Sequence, residues 1–178
     1  MNSQDLLFEN YQLTILDQLE NTAFIRLSPI IGEALKRERR KVYIVHSNQE
    51  ILYVGEAGSS VLKRFQRGCT AFNYKVKNSQ ARRGYQGYKW LNKELNKART
   101  LDVLVVVFDE SYDLKRDFIE AVEGELVYLI RSETNEWPRF QNEIHFSNCV
   151  GAKETAEEIF ENLLMKINNK EIIKKVIL

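Results

Sequence analysis

The sequence predicts a mixed α/β (α+β) domain, and three observations lead to this prediction. Two short runs of β-branched and aromatic residues, 42–45 and 51–54, flank a polar break and predict a β-hairpin. The nearly continuous apolar run 101–108 predicts a strand that is buried on both faces. Apolar residues that recur every three or four positions predict amphipathic helices over 114–132 and 153–168.

Length and composition restrict the class of protein. The 178 residues suit one domain, with or without extensions, and 44% hydrophobic and 29% charged residues are ordinary for a globular chain with a sizeable core. No apolar run approaches the ~20 residues that a membrane span requires, and the N-terminus lacks a signal-peptide pattern. Two unclustered cysteines, Cys69 and Cys149, indicate neither a disulfide framework nor a zinc site. We therefore expect a cytoplasmic protein with no membrane partner.

Positive charge is concentrated in one part of the chain. The segment 57–100 contains eleven Lys and Arg residues and a single acid, Glu94. This segment therefore carries about +10 and the rest of the chain about −9, although the net charge is only +1. A one-sided basic block predicts a polyanionic partner such as nucleic acid, whereas solvated helix faces usually carry both signs.

The register of the hairpin determines where its tyrosines lie. If Asn48 is the centre of a three-residue loop, Val45 pairs with Ile51 and Tyr43 with Tyr53. The two tyrosines are then predicted directly opposite each other on one face, with Cβ atoms about 5 Å apart. A slip of one residue would place them on opposite faces.

A basic region follows the hairpin. The turn 55–58 precedes a helix that Ser59 or Ser60 can cap. Residues 69–78 are predicted as a loop, and 82–97 as a second helix. Lysines at i, i+4 spacing predict a basic stripe along that helix: Lys89, Lys93 and Lys97.

The two ends of the chain are predicted as extensions. In residues 1–40 the apolar period wavers between strand and helix, Ser28-Pro29 marks a break, and 30–40 suits a short helix. At the other end, residues 140–146 are predicted to be irregular or extended. The tail 172–178 is predicted to pack as a last helix or strand. The helix 153–168 is expected to cover the domain's own core, and binding of a partner protein is the alternative.

Several of these features together resemble the GIY-YIG nuclease superfamily. The matching features are Tyr43, the tripeptide Tyr53-Val54-Gly55, an arginine on the next helix and a glutamate on a later helix. The similarity covers 41–148 and leaves 1–40 and 149–178 as N- and C-terminal extensions. It implies a small three-stranded antiparallel sheet flanked by helices. The first motif reads Lys41-Val42-Tyr43, so a lysine stands where the family has glycine.

The resemblance implies roles for four residues in phosphodiester hydrolysis. Tyr43 would deprotonate or orient the attacking water, and Tyr53 would position the water or a phosphate. Arg64 would bind the scissile phosphate through its planar fork, with Arg67 on the same helix face as the alternative. Glu123 would hold the metal cofactor, Mg²⁺ or Mn²⁺.

The choice of Glu123 depends on helix geometry and on the family pattern. The helix 114–132 also offers Glu120 and Glu125. At about 100° per residue, Glu120 points to solvent, whereas Glu123 and Glu125 lie at opposite rims of the apolar stripe. Geometry leaves both rim positions open, and the family pattern of a glutamate, two residues and a Leu-Ile-like pair matches Glu123.

Supporting positions follow from the same resemblance. Gly55 completes the second motif, and Asn142 is predicted to bridge a ligand carboxylate or a phosphate, with Gln141 as the alternative. His145 is a further candidate. One more family position on the middle helix matches any of three residues: Tyr85, Tyr88 and Lys89.

These inferences predict a metal-dependent endonuclease that cleaves DNA, with RNA not excluded. Basic side chains of the middle segment are expected to bind the phosphate backbone: Lys63, Arg67, Arg82, Arg83, Lys89 and Lys93. The alternative function is a non-catalytic nucleic-acid-binding module with the same fold. The sequence does not predict the oligomeric state.

Overall fold

The computed structural model describes residues 6–141, 144 and 146–167. Within them, five strands form one sheet: β1 (Leu6–Asp17), β2 (Ala23–Ser28), β3 (Lys41–His46), β4 (Ile51–Ala57) and β5 (Thr100–Phe108). Three helices accompany the sheet: α1 (Val61–Asn78), α2 (Arg116–Thr134) and α3 (Ala152–Lys166). No helix among these residues is long and apolar enough to cross a membrane.

The predicted small three-stranded sheet is wrong, because the sheet has five strands in the order β2-β1-β5-β3-β4. All neighbouring strands are antiparallel. The three predicted strands are present as β3, β4 and β5. However, β1 pairs with β5 from Leu6 to Thr14, so residues predicted as an extension complete the sheet. A strand buried on both faces needs hydrogen-bonding partners on both edges. β5 pairs with β3 on one edge and with β1 on the other.

The spacing of apolar residues in β1 fits neither a strand nor a helix throughout, and this has a structural cause. At the start of the strand, Leu6 and Phe8 pack on the face of the sheet covered by α2 and α3. Further along, Tyr11, Leu13 and Ile15 pack on the opposite face, which is covered by α1. Because the buried face changes within one strand, no single period describes it.

Two apolar layers therefore sandwich the sheet. On one side, Phe65 of α1 packs with Tyr43 and Trp90 in a cluster that continues over β5 and β1. On the other side, Val122 of α2 and Ile159 of α3 pack over β3, β4 and β5. The strand β4 lies at the edge of the sheet, so groups from both layers meet around it.

The hairpin has a different register from the predicted one. Tyr43 pairs with Gly55 and Val45 with Tyr53, and a bulge follows between Val45 and His46. The predicted direct pairing of Tyr43 with Tyr53 is therefore wrong by two residues. Since the shift is even, both tyrosines still point to the same face of the sheet.

The basic region also folds differently from the prediction. α1 continues to Asn78, because Cys69 and Phe72 extend the buried stripe begun by Phe65. The predicted loop 69–78 is therefore wrong. The predicted helix 82–97 is wrong as well: only a 3-10 turn, Lys89–Leu91, forms there.

Glycines explain why the second helix does not form. Gly84 and Gly87 adopt φ angles of +80° and +72°, and Arg83 has φ 54°. These conformations lie outside the right-handed helical region. The predicted lysine stripe therefore does not exist on a common helix face.

The remaining predictions have mixed outcomes. The helices predicted over 114–132 and 153–168 are confirmed as α2 and α3, within two residues at each described end. The short helix predicted over 30–40 is wrong, because only the 3-10 turn Glu33–Leu35 forms. The tail 172–178 lies outside the described residues.

Candidate active site

The two tyrosines of the hairpin lie together on the α1 face of the sheet. Their ring centroids are 6.1 Å apart, and the rings are tilted by 31°. They form a diagonal pair across β3 and β4 rather than the direct pair that was predicted. Tyr43 is fully buried, whereas Tyr53 keeps part of its surface exposed.

Gly55 is required by the packing of Tyr43. A Cβ atom at this position would lie 2.5 Å from the hydroxyl oxygen of Tyr43 and 2.8 Å from Cε1 of Tyr53. Both distances are far below van der Waals contact, so only glycine lets the ring of Tyr43 cross β4 at this point. The glycine of the second motif thus allows Tyr43 and Tyr53 to pack side by side against β4.

A third tyrosine, Tyr88, holds the hydroxyl of Tyr43. The two hydroxyl oxygens are 2.8 Å apart, and one donates a hydrogen bond to the other. Tyr88 is buried and stacks on Trp90, with ring centroids 4.8 Å apart. A Cβ atom at Gly68 would overlap the ring of Tyr88, and one at Gly87 would overlap the backbone of α1. These two glycines therefore let the segment bring Tyr88 onto the helix.

Arg64 lies in the first turn of α1, beside the tyrosines. Burial disfavours its charge, but the oxygens of Tyr43, Tyr88 and Tyr85 raise its pKa above the ordinary value. Its Nε atom is buried without a hydrogen-bond partner. The alternative, Arg67, is exposed and lines a groove on the outer side of α1. A guanidinium with an unused donor, surrounded by phenols, can bind an anion.

Burial keeps the phenols of the site protonated. It raises the pKa of Tyr43 well above the ordinary value, and Tyr88 and Tyr53 add to that shift. It raises the pKa of Tyr53 to about 12, and the charge of Glu123 adds to this shift. At neutral pH both phenols therefore act as hydrogen-bond donors and acceptors.

Glu123 reaches the site from α2, on the other side of β4. Burial raises the pKa of its carboxyl group to about 8, and the charges of Glu56 and Glu120 contribute. The positive charge of Arg64 and a hydrogen bond from the backbone N–H of Glu56 act in the opposite direction. Because Tyr53 also interacts with Glu123, the edge strand β4 is the place where both layers meet.

The two alternatives to Glu123 that the sequence offered, Glu120 and Glu125, have other partners or positions on α2. Glu125 lines a groove between α2 and α3 together with Tyr128 and Lys153. Glu120 forms an ion pair of 2.7 Å with Arg116 one turn earlier. Of the two rim positions that helix geometry left open, Glu123 is thus the one beside the tyrosines.

Sequence reasoning missed Glu56, which follows Gly55. Its carboxylate lies 3.5 Å from Arg40 Nη1, and its Oε2 atom is buried without a hydrogen-bond partner. Alternation along β4 places Glu56 on the same face as Val54, toward α2 and Glu123. This alternation was a usable signal, since the strand itself was predicted.

The donor set suits a hard divalent cation with few protein ligands. The described part of the chain has no group of three or more His, Cys, Asp and Glu side chains that could hold a metal ion. Mg²⁺, however, is often bound by one or two carboxylates together with water and substrate phosphate. Burial is the main cause of the raised pKa of Glu123, and the nearby charge of Glu56 adds to it. Glu56 itself is ion-paired with Arg40 but has no hydrogen bond at its Oε2 atom, so a cation could still offset charge at this pair of carboxyl groups. The residues present therefore fit Mg²⁺ or Mn²⁺.

The lysine at the start of the first motif has a structural role. Lys41 is fully buried, and its ammonium donates hydrogen bonds to the backbone oxygens of Lys36 at 3.2 Å, Glu38 at 2.7 Å and Arg39 at 2.6 Å. Burial lowers its pKa to about 8. Lys41 thus fastens the segment before β3 to the sheet.

The predicted nucleic-acid-binding residues separate into two groups. Lys63, Arg67, Arg82 and Arg83 line one groove on the outer side of α1. The exposed Lys89 and Lys93 do not line that groove.

The supporting residues near the C-terminal side of the core are described only in part. Asn142 and His145 lie outside the described residues. The side-chain oxygen of Gln141, the alternative to Asn142, accepts a hydrogen bond of 3.1 Å from the backbone N–H of Val54. Gln141 thus contributes to the outer edge of β4.

Comparisons with known proteins give no independent assignment of this site. No protein-family model, no curated protein and no solved structure matches the chain. The functional interpretation consequently depends on the motif residues and on the geometry that surrounds them.

Proposed function

We propose that the protein is a metal-dependent endonuclease of the GIY-YIG type that hydrolyses phosphodiester bonds in DNA. The observation that carries this proposal is the convergence of four side chains from four elements. The rings of Tyr43 of β3 and Tyr53 of β4 have centroids 6.1 Å apart. The charge of Arg64 of α1 affects the pKa of both tyrosines, and the charge of Glu123 of α2 affects the pKa of Tyr53. Phosphodiester hydrolysis needs groups that bind phosphate, place water and hold a cation.

Arg64 is proposed to bind the scissile phosphate. Its guanidinium offers two or more N–H groups in one plane, which match two phosphate oxygens. Arg64 is only partly buried, and its Nε atom has no hydrogen-bond partner among the described residues, so its guanidinium keeps donor capacity for a phosphate. The surrounding phenols hold the guanidinium in place.

The tyrosines are proposed to place the attacking water. Tyr53 has exposed surface and interacts with both Arg64 and Glu123, so it can contact a water or a phosphate directly. Tyr43 lies behind it, with its hydroxyl bound to Tyr88. Because burial keeps its phenol protonated, Tyr43 is proposed to orient the water rather than to deprotonate it, and its hydrogen bond with Tyr88 must be exchanged when the substrate binds.

Glu123 is proposed to hold Mg²⁺ or Mn²⁺, with Glu56 nearby. Such a cation, when bound, offsets the charge that develops on the phosphoryl and leaving oxygens. Glu123 must lose its proton to serve as a ligand, and the pKa of about 8 makes this loss incomplete at neutral pH. Cation affinity is therefore expected to rise with pH up to about 8.

A plasmid assay tests the proposal. Supercoiled DNA incubated with the protein and Mg²⁺ or Mn²⁺ should be nicked, and EDTA should prevent nicking. Arg64→Ala should slow the reaction by ~100-fold or more, as expected for removal of a group that stabilises the transition state. Arg26→Ala is the matched control, because Arg26 is exposed on the far edge strand β2. The same assay with an RNA of the same sequence shows whether the protein cleaves DNA, RNA or both.

A non-catalytic nucleic-acid-binding module is the second candidate. The observation that favours it is the full burial of Tyr43, whose hydroxyl is already paired with Tyr88. Such a module would bind DNA in a salt-dependent way. It would give no nicks with Mg²⁺ or Mn²⁺ at any pH, and that result would refute the nuclease proposal.

A further inference from the structure

A groove of about 580 Å³ lies on the outer side of α1, next to the candidate active site. The helix α1 forms one wall, and the segment 82–85 forms the other. Six of the lining side chains are basic or aromatic: Lys63, Arg67, Tyr74, Arg82, Arg83 and Tyr85. The volume falls within the range of about 300–1,000 Å³ that is usual for small organic ligands.

The groove is strongly cationic. Four of its lining residues carry a positive charge and none is acidic. In the part of the chain that the structure describes, no ion pair joins these four side chains to a carboxylate. Their charge is therefore available for an anionic ligand.

Two aromatic side chains accompany the positive charges. Tyr74 is 41% exposed and Tyr85 is 40% exposed, although large aromatic surfaces are usually buried. Phosphate contacts alone need no aromatic rings, whereas unpaired bases stack on them. Gln66 and Thr70 also line the groove and offer hydrogen-bonding groups for the edge of a base.

The groove is connected to the candidate active site through Tyr85. This residue lines the groove and also interacts electrostatically with Arg64. A nucleotide in the groove would therefore lie next to the phosphate that Arg64 is proposed to bind.

We propose that this groove binds an unpaired nucleotide, so that the preferred substrate has a single-stranded segment beside the cleaved bond. Tyr74 and Tyr85 provide stacking surfaces, while Arg67, Arg82 and Arg83 bind the neighbouring phosphates. A continuous duplex keeps its bases paired and stacked, and it cannot use the concave aromatic surface without extruding a base. This inference rests on the proposed function, because it names the substrate class of the same site.

Binding without cleavage tests the inference. Fluorescence anisotropy of the full chain in EDTA is measured with a duplex that carries a single-stranded tail. The comparison is a longer blunt duplex with the same number of phosphates, which removes the effect of charge. The tailed duplex should bind about tenfold more tightly, the size expected for one stacked base.

Variants show whether the aromatic surface causes the preference. Tyr74→Ala should abolish the preference for the tail, because Tyr74 lines the groove with an exposed ring and, unlike Tyr85, has no role in the proposed active site. Tyr128→Ala is the matched control: Tyr128 is 55% exposed on α2, outside the groove. Arg82→Ala with Arg83→Ala should weaken binding of both DNAs and reduce its salt dependence.

The outcomes separate this inference from the proposed function. Equal affinity for the two DNAs, or an equal loss for both in Tyr74→Ala, overturns the inference. If metal-dependent nicking persists in that case, the proposed function stands. A tail preference that Tyr74→Ala abolishes, without any nicking, supports the groove and overturns the nuclease assignment.

Discussion

The hydroxyl oxygens of Tyr43 and Tyr88 lie 2.8 Å apart inside the protein, although the two residues are 45 positions apart in the chain. This hydrogen bond joins the hairpin to the segment that follows α1. It places the first tyrosine of the motif behind Tyr53 and beside Arg64. The geometry of the candidate site thus depends on a residue outside the hairpin.

Removal of the Tyr88 hydroxyl should destabilise the protein. Tyr88→Phe leaves the buried hydroxyl of Tyr43 without this partner, so we expect the free energy of unfolding to fall by about 1–2 kcal/mol. Urea denaturation measures the change. In a double-mutant cycle, Tyr43→Phe should lower the free energy of unfolding less in the Tyr88→Phe variant than in the unmodified protein. Strict additivity of the two changes would show that the hydrogen bond contributes nothing.

Gly55→Ala should be far more disruptive than alanine at a neighbouring glycine. The new Cβ atom would lie 2.5 Å from the hydroxyl oxygen of Tyr43, and we expect a loss of about 2–3 kcal/mol from such overpacking. In Gly58→Ala the new atom meets only the flexible end of Arg40, at 2.7 Å. We expect that control to lose less than about 1 kcal/mol. Thermal denaturation compares the two variants, and equal losses would contradict the packing argument.

Lys41 should be a stabilising residue despite its burial. Lys41→Met keeps the aliphatic bulk but removes the donor to three backbone oxygens. We expect a loss of about 1–3 kcal/mol, since unsatisfied buried acceptors are costly. Lys36→Met is the control, because the side chain of Lys36 is 58% exposed. Chemical denaturation of the two variants measures the difference, and a Lys41→Met protein as stable as the control would refute this role.

The carboxyl group of Glu123 should make the protein less stable at higher pH. Its pKa is about 8 in the folded protein and about 4.3 in an unfolded chain. Between these values the folded protein keeps a proton that the unfolded chain releases, so the free energy of unfolding falls as pH rises. Glu123→Gln removes this loss. Glu123 is only partly buried, and solvent reduces the effect of its charge. We therefore expect Glu123→Gln to raise the free energy of unfolding by about 2 kcal/mol near pH 8 and by little near pH 5.

Denaturation in EDTA at the two pH values measures this effect. Glu125→Gln is the control, since Glu125 lies in the groove between α2 and α3. A gain from Glu123→Gln that does not change with pH would contradict the proposed protonation.

Much of the fold was predictable because local patterns determine it. The apolar run of β5 and the helical periods of α2 and α3 identify those elements directly. The strand β1 was missed because its buried face changes along its length, whereas the regular alternation of buried and exposed residues in β2 was an available signal. The need of β5 for a second edge partner was another signal, but it depends on pairing between residues about 90 positions apart.

The candidate site was predictable where it depends on short motifs. Tyr43, Tyr53 and Gly55 belong to one hairpin, and an even error in register left the tyrosines on the same face. Tyr88 could not be assigned firmly, because its position depends on a glycine-rich segment that was predicted as a helix. Glu56 was predictable from strand alternation, although only the tyrosine face was considered.

The most direct test of the nuclease proposal compares Glu123→Gln with Glu125→Gln in a nicking assay with Mn²⁺. Both substitutions remove one carboxylate from α2 and keep the side-chain volume, but only Glu123 lies beside Tyr53 and Arg64. We predict that Glu123→Gln lowers the nicking rate by ~100-fold or more, while Glu125→Gln keeps the rate of the unmodified protein. Unchanged nicking by Glu123→Gln, or an equal loss in both variants, would contradict the proposed active site.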